Sequence, residues 1–173
     1  LPTFTAAELD RLAASTHEAG HAIAAVVLGG RVDTVILDDQ HPRTEYVDLA
    51  AGTRSAVTFA GPWAETRWTM GRTPTPADMR RSFARNGSDD QSLCAAGGWH
   101  QGGHVAPLLE RCWPAVKELA KTLYFAGSAS HADVCAALGL PEGDNGGPGS
   151  LSLAMIRAGS SPGSFTVGTV RHD

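Results

Sequence analysis

Thr16-His17-Glu18-Ala19-Gly20-His21-Ala22 is the stretch on which the reading of this chain turns. On an α-helix, residues four apart stack one turn above each other, so His17 and His21 present both imidazoles on one side. Two neutral imidazoles at that spacing can grip one zinc ion. Glu18 is rotated far enough to miss the metal yet stay near a water bound to it. The neighbours Ala22, Ile23, Ala24, Ala25, Val26, Val27 and Leu28 are apolar nearly all round, which predicts a largely buried helix. Two buried imidazoles and a buried carboxylate are costly unless they find partners, and a metal answers all three needs at once. Gly20 costs about 1 kcal/mol against alanine in mid-helix. That cost points to room for a substrate or to close packing.

Working outward, Thr5-Ala6-Ala7-Glu8 has the form of a capping box that opens the motif helix, and Gly29-Gly30 closes it. Residues 32–37 are β-branched and short, hence a strand. His41-Pro42 marks a turn, and residues 44–49 read as a second strand of a small sheet. Residues 53–70 predict a second long helix in which Pro62 implies a kink or a fresh start, with Gly71 ending it. A short basic helix over 76–85 follows, then a turn at Asn86-Gly87 and a helix over 88–96. Residues 97–103 are a glycine-rich loop. A helix over 107–126, broken or kinked near Pro114, precedes a last one over 131–138 capped by Ser130. The fold class is therefore mainly α with a small β-sheet, α+β. Residues 1–140 form the domain that carries the motif. Residues 141–150 are turn-rich, 151–156 form a short apolar segment able to dock on the body, and the end from Gly159 reads as flexible or extended. The whole of 141–173 is expected as a C-terminal tail on the same domain.

The 173 residues suit one domain with a real core, and 42% hydrophobic content is ordinary for a globular protein. A net charge of −4 argues against nucleic acid as the main partner. No apolar run approaches the ~20 residues of a membrane span. Leu1 is not an initiator methionine, so the true start is left open. Cys94, Cys112 and Cys135 form no C-x-x-C, which favours buried free thiols in a reducing compartment and a cytoplasmic location.

A zinc hydrolase centre usually has three protein ligands and one open position. The third ligand must come from elsewhere in the chain. The candidates are Glu65 on the second helix, Asp89 and Asp90 at a helix start, and the loop pair His100 and His104. A carboxylate at a helix start also meets the positive end of the helix dipole, although such residues commonly serve as N-caps alone. His41, His131 and His172 read as surface or capping residues.

Three stretches together resemble the protease domain of the FtsH-type ATP-dependent zinc metalloproteases. Residues 16–22 resemble that family's T-x-H-E-A-G-H-A helix, Ala60-Gly61-Pro62-Trp63-Ala64-Glu65 its A-G-x-x-A-E helix, and the 86–91 segment its G-x-N-D-L turn. Residues 107–138 are similar to its closing helical pair. The resemblance implies a zincin-like metallopeptidase with Zn2+ held by His17, His21 and Asp89. It makes Glu18 the general base and Glu65 a supporting carboxylate. Asp90 stands where the family has a hydrophobic residue, which keeps Asp90 in view as an alternative ligand. No G-x-x-x-x-G-K-[ST] phosphate loop occurs in these residues, nor do the family's membrane helices. The expected activity is ATP-independent cleavage of flexible or small peptides. The alternatives are an amide hydrolase acting on a small molecule or modified peptide, and a binding module that retains the fold. Strand 32–37 is the expected docking edge for a peptide. Trp63, Trp68, Trp99 and Trp113 read as core residues, with a homo-oligomer interface as the alternative, and the missing ATPase module leaves a delivery partner open.

Overall fold

The computed structural model describes residues 4–38 and 40–164. Helix α1 (Ala6–Val27) opens on the expected capping box: Glu8 N–H donates to Thr5 Oγ1 at 3.3 Å, and Thr5 N–H donates to Glu8 Oε2 at 2.7 Å. From Ala22 to Val27 the helix is fully enclosed, as its apolar surround predicts. Its chief neighbour is α2 (Arg54–Met70). A Cβ on Gly20 would lie 2.6 Å from the Ala60 carbonyl oxygen and 2.7 Å from Ala64 Cβ. Gly20 therefore serves close packing of the two helices. Helix α2 runs through Pro62 as a single element, so of the expected kink or fresh start the fresh start does not occur. Proline removes one helical donor. Here it is buried in the packed interior, and its carbonyl accepts from Thr66 Oγ1 at 2.7 Å and Ser82 Oγ at 3.4 Å.

The sheet has three antiparallel strands in the order β2-β1-β3: β1 (Arg31–Ile36), β2 (Arg43–Val47) and β3 (Ser128–Ala129). Strand β2 stops short of Leu49 because Asp48 adopts a left-handed φ of 60°. Along β2, Thr44 and Tyr46 turn one way, half-buried, while Arg43, Glu45 and Val47 are exposed. Strand β1 is the middle strand, paired along its length with β2 and at Val35 and Ile36 with β3. The outer edge of the sheet on the β2 side therefore belongs to β2, not to the 32–37 strand expected as the docking edge.

Helices α3 (Pro76–Phe83) and α4 (Gly87–Ala95) follow, and two short 3-10 turns, Trp99–Gln101 and Gly103–Val105, stand in for the glycine-rich loop. The expected helix over 107–126 is two: α5 (Ala106–Arg111) and α6 (Trp113–Ala126). Pro114 falls in the first turn of α6, where its missing N–H would have had no helical partner anyway. The junction is fixed by Arg67, which lies over the Trp113 ring at 5.0 Å and pairs with Glu110 at 3.1 Å. Trp63 is enclosed in the core, and Trp113 meets it edge-on at 6.1 Å.

Helix α7 (His131–Ala137) is capped by Ser130. His131 does more than a surface or capping residue: its Nδ1 accepts from Val32 N–H at 3.3 Å, and its Nε2 bonds the Asn145 carbonyl at 2.7 Å. The ring thus ties the 141–150 turn to β1. Helix α8 (Leu151–Ala158) buries Leu153 and Ile156. Arg157 Nη1 donates to the Val27 carbonyl at 2.8 Å, at the C-terminal end of α1. Residues 159–164 continue in turn and bend, and the expectations for 165–173, His172 among them, lie outside the described residues. Cys112 and Cys135 are buried thiols, whereas Cys94, expected buried, is exposed because it sits on the outer face of α4. Among the described residues no helix is long and apolar enough to cross a membrane.

Candidate metal centre

His17 and His21 face each other across one turn of α1, with Nε2 to Nε2 at 3.0 Å. Asp89, in the first turn of α4, brings Oδ2 to 3.1 Å from His17 Nε2 and 3.7 Å from His21 Nε2. Of the carboxylates and histidines proposed as third ligand, Asp89 is the one that joins the pair. Asp90 turns away, with Cys94 Sγ 3.8 Å from its Oδ1. His100 and His104 are exposed on the 3-10 turns. Helix α4 begins one residue earlier than expected, at Gly87, with Asn86 as the N-cap position. Neither Ser88 nor Asp89 is therefore the cap.

Helix α2 fixes both imidazoles from behind. His17 Nδ1 bonds Glu65 Oε2 at 2.8 Å, and His21 Nδ1 donates to the Val57 carbonyl at 2.7 Å. With both Nδ1 atoms so engaged, neutral rings aim both Nε2 lone pairs at the space beside Asp89. This is the usual support of a metal-binding histidine, and Glu65 holds the supporting position, not a ligand position. Asn86 Nδ2 lies 3.4 Å from the same Glu65 oxygen and steadies it.

Three electron-rich atoms converging this closely need a positive charge among them. Tetrahedral zinc with bonds of roughly 2.0–2.1 Å sets its ligand atoms about 3.3 Å apart. The observed 3.0, 3.1 and 3.7 Å separations straddle that value. The donor set, two imidazoles and one carboxylate, also suits zinc. Without a metal the charge is a proton. Burial pulls the His17 pKa down, but hydrogen bonds to Asp89 and Glu65 and the charges of Glu18 and Asp89 outweigh it and raise the pKa to about 10. Burial likewise opposes ionisation of Asp89, yet bonding to both histidines and their charge hold its carboxyl well below the usual range.

Glu18 is only 5% exposed and stays off the three-atom cluster. Thr44 of β2 donates its hydroxyl to Glu18 Oε2 at 2.7 Å. The sequence reading missed Thr44, Asn86, Val57 and Gly61. A Cβ on Gly61 would fall 2.3 Å from His21 Nε2, so only glycine lets that ring lie against α2. Gly61→Ala is expected to fold but to weaken zinc binding by at least about tenfold, in line with losses from disturbed supporting shells. Chelator competition alongside circular dichroism would measure it, and unaltered affinity would mean that the ring is not held by this contact.

The centre opens on both sides. A cleft of about 700 Å3 runs past Asp10, Ala13, His41, Glu65 and Asn86. A second, of about 280 Å3, is walled by Tyr46, Arg54, Thr58 and Ser92. Glu18 and Asp89 line both. No family model, curated protein or solved structure was found to match this chain.

Proposed function

We propose that this chain is a zinc-dependent hydrolase that cleaves peptide bonds in flexible or small peptides, as the resemblance to FtsH-type protease domains implies. One observation carries the reading. Three metal-ligating atoms converge on one point, and a buried carboxylate that is not among them stands at the same cleft. A structural zinc site would close its fourth position with a further protein ligand, whereas here two clefts meet at the centre.

In this reading His17 Nε2, His21 Nε2 and Asp89 Oδ2 hold the ion. When bound, zinc supplies a Lewis acid that acidifies a water, lowering its pKa from 15.7 toward about 7, and polarises the scissile carbonyl. Glu18 works through Oε1, because Oε2 is occupied by the Thr44 hydroxyl. Oε1 takes a proton from the attacking water and returns it to the departing amine nitrogen. Thr44 fixes the direction in which that oxygen points. The open edge of β2 aligns an extended peptide through backbone hydrogen bonds.

Purified protein is expected to bind one zinc per chain and to hydrolyse unstructured protein or peptide substrates only when loaded. Metal analysis with a quenched-peptide assay tests this. Zinc binding without cleavage of peptides, but with cleavage of small amides, would replace the peptidase by an amide hydrolase. Failure to bind zinc would leave a binding module.

A further inference from the structure

The two clefts that meet at the centre differ in charge. The larger carries Asp10 and Glu65, while the exposed Arg43, whose charge is already matched by Glu45 at 2.7 Å, lines both. The smaller carries Arg54, the first residue of α2, which has no ion pair or hydrogen bond among the described residues. Beside it is the half-buried Tyr46 on the inward face of β2. Burial raises the Tyr46 pKa and the Arg54 charge opposes the rise, so the guanidinium is close enough to be felt by the phenol. The other wall residues Pro42, Thr44, Thr58, Ser88 and Ser92 carry no charge, and His17, Glu18, His21 and Asp89 stand at the centre itself. At about 280 Å3 this cleft accepts little more than the group adjoining the scissile bond.

We infer that the Arg54–Tyr46 cleft is a subsite for a substrate carboxylate, and that this enzyme selects peptides bearing a negative charge next to the bond it cleaves. An unpaired guanidinium offers a fork of donors matched to a carboxylate, and a phenol beside it can add a further donor. The carboxylate is either the α-carboxylate of a C-terminal residue or the side chain of Asp or Glu. The inference rests on the hydrolase reading of the same centre, since it names what that centre takes.

The test uses zinc-loaded protein and peptides that differ only in Glu against Gln beside the scissile bond, each as free acid and as C-terminal amide. The expected wild-type preference for the charged member is about tenfold in kcat/KM, the scale of a charge-assisted hydrogen bond. It should shrink as salt rises. Arg54→Ala should erase that ratio and Arg54→Lys should keep part of it. Which pair of peptides shows the ratio tells the α-carboxylate from the side chain. The same peptides, labelled and titrated into the Glu18→Gln protein by fluorescence anisotropy, give binding without turnover. Charge-selective binding that depends on Arg54, with no cleavage, would overturn the peptidase and keep the subsite. Cleavage with equal ratios in wild type and Arg54→Ala would overturn the subsite and keep the peptidase. Neither binding nor cleavage would overturn both.

Discussion

Glu18→Gln is expected to bind zinc as the wild-type protein does and to lose hydrolysis by about 10^3-fold, within the range for removing a general base. The amide is nearly isosteric and its oxygen can still accept from Thr44, so the 2.7 Å bond that orients the side chain survives. It cannot take a proton from water at neutral pH. The metal is untouched because the converging atoms belong to His17, His21 and Asp89. Substantial residual turnover would remove Glu18 from its role. A parallel loss of zinc would make it a ligand instead.

Zinc affinity is expected to rise by about tenfold per pH unit between pH 7 and 10, about a thousandfold in all. Zinc binds only the neutral imidazole, so ion and proton compete for the same nitrogen. In the metal-free protein His17 keeps its proton up to about pH 10, held by Asp89 and Glu65 against the opposing effect of burial. Each unit of pH below that value therefore costs the metal a factor of about ten, and the slope flattens above it. Chelator competition across this range measures the slope, and an affinity independent of pH from 7 to 9 would contradict it. The same proton sets the stability of the metal-free fold. The folded pKa lies above the ordinary 6.5 of an unfolded histidine, so its contribution is complete below pH 6.5 and is lost as pH climbs through about 10. Urea midpoints of metal-free protein should fall over that interval, while those of the zinc-loaded protein should not.

The part of the centre carried by α1 was legible because it is local. His17, Glu18 and His21 lie within two turns of one helix, and helical spacing alone sets their mutual positions. Asp89 was named through a resemblance. Spacing could not separate it from Asp90, since which carboxylate faces inward depends on where α4 starts, and that helix starts a residue earlier than its turn signals suggested. The supporting groups were not legible for a different reason. The Val57 carbonyl has no signature in any side chain, and Thr44 and Asn86 look like ordinary strand and turn residues until the chain is folded. The two interior prolines show the same limit from the side of secondary structure. Pro114 starts a helix as local rules allow, while Pro62 stays inside one because packing around it prevails. Strand β3, two residues long, carries no periodicity to be read.

One helix orients both imidazoles: α2 supplies the Val57 carbonyl, the Gly61 gap and the Glu65 carboxylate along a single side. The aim of the two rings is thus a readout of how α1 and α2 are registered, and neither rod can slide without spoiling both bonds together. Variation at positions 20, 61 and 65 should accordingly be inherited as a set, whereas any residue at 57 still offers the carbonyl. A library that randomises those three one at a time will find few survivors, and a redesign that moves the crossing must rebuild them together.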